Sequence, residues 1–163
     1  MKVPVRYLPF GLSLSDRAKQ SRELRKSRRL YKRGKYYTRR EVPSFHSRKS
    51  NHITDAKKMY GVDVVMPNPA LAKATGCSVS ALRKIVRKGE GAYFSSGSRP
   101  NQTAQSWGLA RLASSVTGGK SAAVDFSILE AGCDHRKRAY TLAKQAKKKY
   151  GYGRGHTKRV SMQ

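Results

Sequence analysis

Lys88-Gly-Glu-Gly-Ala-Tyr-Phe-Ser-Ser-Gly-Ser-Arg-Pro-Asn-Gln-Thr-Ala-Gln-Ser-Trp107 is the stretch on which the reading of this chain turns. Gly89, Gly91, Gly97 and Pro100 argue against a regular helix over residues 89–100 and predict a shaped, turn-rich loop. Tyr93, Phe94 and Trp107, the single tryptophan, lie in or beside it, so the loop is expected to fold back over aromatic surface. Residues 95–98 with Arg99 form either an anion-binding nest of backbone N–H groups or a structural turn locking Tyr93 against Trp107.

Charge sets this stretch apart. The chain of 163 residues carries 36 Lys and Arg against nine Asp and Glu, a formal net charge of +27. Residues 90–133 hold Arg99, Arg111 and Lys120 against Glu90, Asp125 and Glu130, so this segment is neutral and the excess lies outside it. The expected organisation is mainly α. An extended and helical basic arm spans 1–50, a compact helical domain spans 51–150 around the neutral centre, and a basic tail spans 151–163. A chain this cationic repels itself and calls for a polyanion or an acidic surface beside it. With 37% hydrophobic residues, the core is modest.

The N-terminal residues 1–14 read as an extended strap, spotted with Val3, Val5, Tyr7, Leu8, Phe10, Leu12 and Leu14. A helix is expected from Ser15, as N-cap, to about Lys32, with Asp16 in its first turn and Gly34 as its stop. Its apolar stripe (Ala18, Leu24, Tyr31, with Leu30 alongside) is thin, and residues 17–40 hold twelve cations and one Glu. This arm is therefore expected to need a partner to order it. Residues 36–43 read as extended, Ser50 caps a short helix ending at Gly61, and residues 62–65 are strand-like. Asn68 and Pro69 start the next helix.

Leu71-Ala-Lys-Ala-Thr-Gly-Cys-Ser-Val-Ser-Ala-Leu-Arg-Lys-Ile85 fits a helix-turn-helix pattern. Leu71 and Ala72 pack the first helix, Gly76 takes the turn, and Cys77, Leu82 and Ile85 pack the second, with Ser78 or Ser80 as its cap. Arg83, Lys84, Arg87 and Lys88 decorate the second helix. Its N-terminal positions (Ser78, Val79, Ser80, Ala81) offer no bidentate base reader, so a plain helical hairpin competes with a sequence-specific regulator. Further on, Thr103 caps a helix to about Thr117 with Leu109, Leu112, Ala113 and Val116 on its core face. A brief helical turn follows from Asp125. Asp134 is expected to cap the last helix, which carries Ala139, Leu142, Ala143, Ala146 and Tyr150 on one face and closes at Gly151. Arg136, Lys137 and Arg138 would then oppose the dipole in its first turn, suggesting a nearby anion.

Candidate chemistries are few. Gly118-Gly-Lys-Ser121 resembles a P-loop end but lacks the first glycine, which should fall at Ser114, and follows a helix instead of a strand. His46, His52, His135 and His156 are far apart, so no metal site is expected. Cys77 and Cys133 suggest a reducing compartment without a disulfide framework, with Cys133 a small buried side chain, although a single bridge between them stays open. No paired carboxylates stand out. No catalytic residue, cofactor or small-molecule substrate is expected. No run of 18 apolar residues is present to span a membrane, and no secretory leader is expected.

The motifs Ser27-Arg-Arg-Leu-Tyr-Lys-Arg-Gly-Lys-Tyr-Tyr-Thr38, Thr75-Gly-Cys-Ser78 and Lys88-Gly-Glu-Gly-Ala-Tyr-Phe-Ser-Ser-Gly-Ser-Arg-Pro-Asn-Gln-Thr103 carry a resemblance, continued by Ser106-Trp107, Ala110-Arg-Leu-Ala-Ser114, Gly118-Gly-Lys120, Val124-Asp125 and Gly132-Cys133. Across nearly its whole length the chain resembles the small basic proteins of unassigned function encoded by large double-stranded DNA viruses of algae and protists, the phycodnavirus-like group. The resemblance implies a viral origin and packaging in the virion, and brings no assigned site residues.

The expected role is a non-enzymatic minor capsid protein of the virion, assembled in the host cytoplasm, that contacts capsid subunits and an acidic surface such as an inner membrane. The residues expected to meet polyanions or partners are Arg17, Arg22, Arg25, Lys26, Arg28, Arg29, Lys32, Arg33, Arg39 and Arg40 in the first arm. Arg83, Lys84, Arg87 and Lys88 in the hairpin, and Arg136, Lys137, Arg138, Lys147, Lys148 and Lys149 in the last helix, complete the set. The rival role is binding or condensing viral DNA, for which Tyr31, Tyr36, Tyr37, Tyr150 and Tyr152, interleaved with cations, suit single-strand stacking.

Overall fold

The structure, a computed structural model, describes residues 1–48, 50–151 and 157–162. It is mainly helical, as expected. Among the described residues it has eight α-helices and one two-stranded antiparallel ribbon. Tertiary contacts divide the described residues into two compact units, the first of 1–48, 90–107 and 157–162, the second of 50–89 and 108–151. This division cuts across the 1–50, 51–150 and 151–163 segments read from sequence, and it splits the neutral stretch, with 90–107 in the first unit and 108–133 in the second.

In the first unit the N-terminal strap is a strand, β1 (Lys2–Pro4), followed by a 3-10 turn over Val5–Tyr7. β1 pairs with β2 (Arg159–Ser161) in the register Val3 to Val160. The C-terminal segment thus contributes to a fold, whereas residues 152–156 and 163 of the expected tail lie outside the described residues. Helix α1 (Leu14–Tyr31) is capped by Ser13, whose hydroxyl accepts from Asp16 N, and not by Ser15. Its buried face is Gln20, Ser21, Glu23, Leu24 and Ser27. Four of these five residues are polar, which is why an apolar stripe underestimated the packing of this helix. Val3, Tyr7, Leu8, Leu12, Leu24, Val42, Val160 and Met162 form the core.

The second unit holds α2 (Asn51–Tyr60), α3 (Pro69–Thr75), α6 (Lys120–Val124), α7 (Phe126–Gly132) and α8 (Arg138–Tyr150), with parts of α4 (Val79–Ser95) and α5 (Ala104–Val116). Several sequence signals act as read: Gly61 takes the left-handed conformation (φ 61°) and closes α2, and the Asn68 side chain accepts from Leu71 N with Pro69 in the first turn. At the start of α5, Thr103 Oγ1 accepts from Ser106 N while Ser106 Oγ accepts from Thr103 N, a reciprocal cap. Residues 62–65 form no strand. The core joins Leu71, Leu82, Ile85, Leu112, Val116, Leu129 and the small face Ala139, Ala143 and Ala146 of α8.

Three further expectations are corrected. The region 89–95 is helix, not loop, because α4 continues through Gly89 and Gly91 to Ser95. A β-carbon at Gly89 would stand 2.7 Å from the α-carbon of Gly108, so glycine is there for close packing against α5 and not for a turn. Helix α8 begins at Arg138 with no side-chain cap from Asp134. Asp134 instead accepts from Arg136 N (2.9 Å) and from its guanidinium, so Arg136 and Lys137 precede the helix and do not oppose its dipole from within the first turn. Finally, Cys77 and Cys133 form a disulfide, aligned by bonds from Ser78 N to Gly132 O and from Asp134 N to Gly76 O, both 2.8 Å. A bridge between residues 56 apart in sequence was invisible to spacing, since only the fold brings the turn after α3 beside the end of α7.

Candidate polyanion interface

The cations divide into those the fold consumes and those it displays. Arg39 is consumed: it is 7% exposed, its guanidinium donating to Tyr93 O (2.7 Å), Ser27 Oγ (2.8 Å) and Ser98 Oγ (2.7 Å). Burial lowers its pKa from the ordinary arginine value, while three hydrogen bonds and the Tyr93 ring, whose centroid lies 3.8 Å from the guanidinium carbon, favour the charged form. Arg39 is therefore withdrawn from the polyanion-binding set. Arg28 donates from Nε to Ser96 O (2.8 Å), Arg17 reaches Leu8 O and Pro9 O, and Arg25 reaches Met162 O.

These contacts also decide what the glycine-serine turn does. Ser96 O and Ser98 Oγ receive the chain's own Arg28 and Arg39, while Gly97 (φ 131°) lies so close to Leu24 and Tyr7 that a β-carbon would meet them at 2.9 and 3.0 Å. Asn101, with φ 61°, uses its amide as a strand edge, accepting from Val42 N and donating to Val42 O and Phe45 O. Pro100 is buried beside it in sequence, and burial lowers the pKa of Arg99. The turn is a structural receptor for arginine and for residues 42–45. Tyr93 locks against Arg39, and Trp107 meets Tyr7 edge-on at 6.1 Å.

Of the cations expected from sequence to meet a partner, the first unit displays Arg22, Arg29, Lys32, Arg33 and Arg40, all exposed and, among the described residues, with no side-chain hydrogen bond to the fold, and Lys35 is exposed beside them. Lys26 is half-buried above the Tyr37 ring (4.3 Å), whose phenol donates to Glu23. Over its described residues this unit carries 18 Lys and Arg against four acids.

The second unit carries 16 against five. Its helix–turn–helix segment has the expected form: α3, Gly76 at φ 78°, and α4 with Ser78 Oγ accepting from Ala81 N. Leu71, Cys77, Leu82 and Ile85 are buried, while Arg83, Lys84, Arg87 and Lys88 are exposed on α4. Lys88 also lies 3.4 Å from Asp125, a fully buried carboxylate that accepts two bonds from Arg111 (2.9 and 2.7 Å) and one from Ser115 Oγ. Sequence reading missed this knot, because Arg111 and Asp125 merely cancel in a charge count. Lys147, Lys148 and Lys149 are exposed on α8, with Lys147 4.3 Å from the Phe126 ring centroid, and Arg136, Lys137 and Arg138 are exposed before and at its start.

An open groove of about 500 Å³ is lined by His52, Asp55, Lys58, Met59 and residues 117–119. It contains the Gly118-Gly119 pair, which follows helix α5 and lacks the strand a phosphate-binding loop requires. Among the described residues no three His, Cys, Asp or Glu side chains group as metal ligands, and no helix is long and apolar enough to cross a membrane. His156 and Tyr152 lie outside the described residues.

A family model described as a family of unknown function, DUF5824, matches residues 4–137. The chain belongs to this family. The match covers all of α1 to α7 and stops short of α8 and β2. No curated protein and no solved structure matches the chain. Membership in DUF5824 carries no activity with it, so function rests on the surface just described.

Proposed function

We propose that this DUF5824 protein is a non-enzymatic structural protein of the particle of a large double-stranded DNA virus. It lies beneath the capsid shell and bridges capsid subunits and an acidic inner surface. The viral setting rests on the sequence resemblance. The binding role rests on one observation: the charge left unanswered inside the fold. Among the described residues only three ion pairs form, and they use two carboxylates, Asp125 and Asp134. The remaining exposed cations of both units require counter-charge from outside. Phe10 and Leu14, exposed next to Arg17 in the first unit, add an apolar edge suited to an anionic lipid surface.

Fractionation of purified particles tests this reading. The protein is expected to remain with the shell after nuclease removes the genome, and its absence from purified particles overturns the proposal.

A second reading, binding of the genome within the particle, is favoured by Tyr31 and Tyr36, exposed beside Lys32, Arg33 and Lys35 where α1 ends. It predicts that the protein follows the DNA, with an affinity that falls steeply as salt is raised.

A further inference from the structure

We propose that Tyr31, Tyr36 and Phe94, with the cations of the turn that ends α1, form a stacking platform for the bases of single-stranded nucleic acid. The proposal goes beyond the genome-binding reading, because a packaged duplex offers no open base faces and the ligand here is unpaired nucleic acid.

The platform is built by the end of α1. After Tyr31 the chain makes a tight turn in which Gly34, at φ 73°, takes a conformation that favours glycine. Arg33 N and Lys35 N both donate to Leu30 O, and Gly34 N donates to Tyr31 O, each at 2.9 Å. This turn brings Tyr36 back to Tyr31, with ring centroids 6.2 Å apart. Phe94, on the last turn of α4 in the same unit, completes the cluster. Its plane is within 9° of the Tyr31 ring at 6.4 Å, and its centroid is 5.1 Å from that of Tyr36.

The contrast with neighbouring aromatics gives the cluster its meaning. Tyr37 is tied inward, its phenol on Glu23 and its face under Lys26, and Tyr93 is wholly buried on Arg39. Tyr36, one residue before Tyr37, is 74% exposed, and Tyr31 is 36% exposed. An aromatic ring held in place by a fixed turn yet left in water is a ready surface for another flat ring. Lys32, Arg33 and Lys35, all exposed, lie in the turn between the two tyrosines, with Arg29 one helical turn before Arg33. Rings alternating with cations match a strand that alternates bases and phosphates. A duplex keeps the faces of its bases covered, so only unpaired bases can use the rings.

The test uses the full-length, disulfide-intact protein and fluorescence anisotropy with three labelled probes of equal length. These are an oligothymidylate of about 15 nucleotides, within the span that single-strand binders occupy, its abasic counterpart and a duplex. Wild type is expected to prefer the oligothymidylate over the abasic strand by roughly 5- to 150-fold for each stacked base. Tyr36→Ala should erase most of that preference while leaving abasic and duplex binding unchanged, and Tyr36→Phe, which keeps the ring, should retain it. Tyr31→Ala provides a second, independent loss. Equal binding of all three probes by wild type, or an equal loss on all three in Tyr36→Ala, overturns the platform and leaves polyanion binding standing. Failure of wild type to bind any probe removes the genome-binding reading itself. If Tyr36→Ala weakens binding to phosphatidylserine vesicles and spares the oligothymidylate, the patch faces lipid and the proposal is wrong.

Discussion

The guanidinium carbon of Arg39 sits 3.8 Å from the centroid of the Tyr93 ring, and the Tyr93 phenol oxygen in turn accepts from the backbone N–H of Arg39 at 2.9 Å. One residue thus closes both ends of a buried polar knot in the most basic part of the chain. Arg39→Met should strip donors from Tyr93 O, Ser27 Oγ and Ser98 Oγ and destabilise the protein by about 1–3 kcal/mol, the cost of one stranded buried group, because Ser27 and Ser98 keep their own bonds to Phe94 O and Arg99 O. Arg39→Lys supplies a point charge without the planar fork, so it should recover only part of that loss. Urea midpoints at constant slope measure both.

Two glycines on one helix should respond to alanine with opposite signs. At Gly89 a β-carbon would collide with the Gly108 backbone, so Gly89→Ala should destabilise despite alanine's better helix propensity. At Gly91 nothing lies within 4 Å, so Gly91→Ala should stabilise by about 0.5–1 kcal/mol. Thermal melts of the pair decide it, and equal effects would contradict the helical course of residues 89–95.

Cys77 and Cys133 close a loop of 56 residues, for which chain entropy gives about 4 kcal/mol. The double variant Cys77→Ala, Cys133→Ala should lose about 2–4 kcal/mol of that. It should keep its helical circular dichroism, because the flanking bonds between Ser78 and Gly132 and between Asp134 and Gly76 do not need the sulfur atoms.

Burial pushes the Tyr60 phenol, which donates to Val116 O, up from 10.0 to about 12, with nearby Arg138 pulling the other way. Folding therefore favours the protonated phenol. Its contribution is complete below pH 10 and is lost as the pH rises toward 12, because the unfolded chain gives up that proton first. Tyr60→Phe should be less stable than wild type at neutral pH, and the gap should narrow between pH 10 and 12 in paired denaturation curves.

Salt should act strongly on any complex with nucleic acid or anionic vesicles. Replacing Arg29, Lys32 and Arg33 by Gln should weaken duplex, abasic and thymidylate binding alike and flatten the dependence of affinity on salt, since each lost phosphate contact lowers the slope by about 0.7–0.9. A salt titration of wild type and variant reads it directly.

Helices marked by caps and apolar spacing were legible in the sequence: Asn68 with Pro69, Thr103, Gly61 and the alanine face of α8 all act as local chemistry dictates. The face of α1 was not, because Gln20, Glu23 and Ser27 are buried on partners far along the chain, and polar residues announce no stripe. The candidate interface was half legible. The exposed cations of α4 and α8 followed from composition and helix period, but charge alone could not distinguish Arg33, in water, from Arg39, in the core.

By itself the sequence determined the helical class, most helix ends and the large excess of positive charge, since these depend on residues within a turn or two of each other or on simple composition. Only the tertiary structure decided that Gly89 belongs inside a helix, that Cys77 meets Cys133, that Arg39 is spent on Tyr93, and that Tyr36 stands beside Phe94 in solvent. Each is a contact between residues distant in the chain, and its energy comes from burial and matched donors that no local pattern encodes.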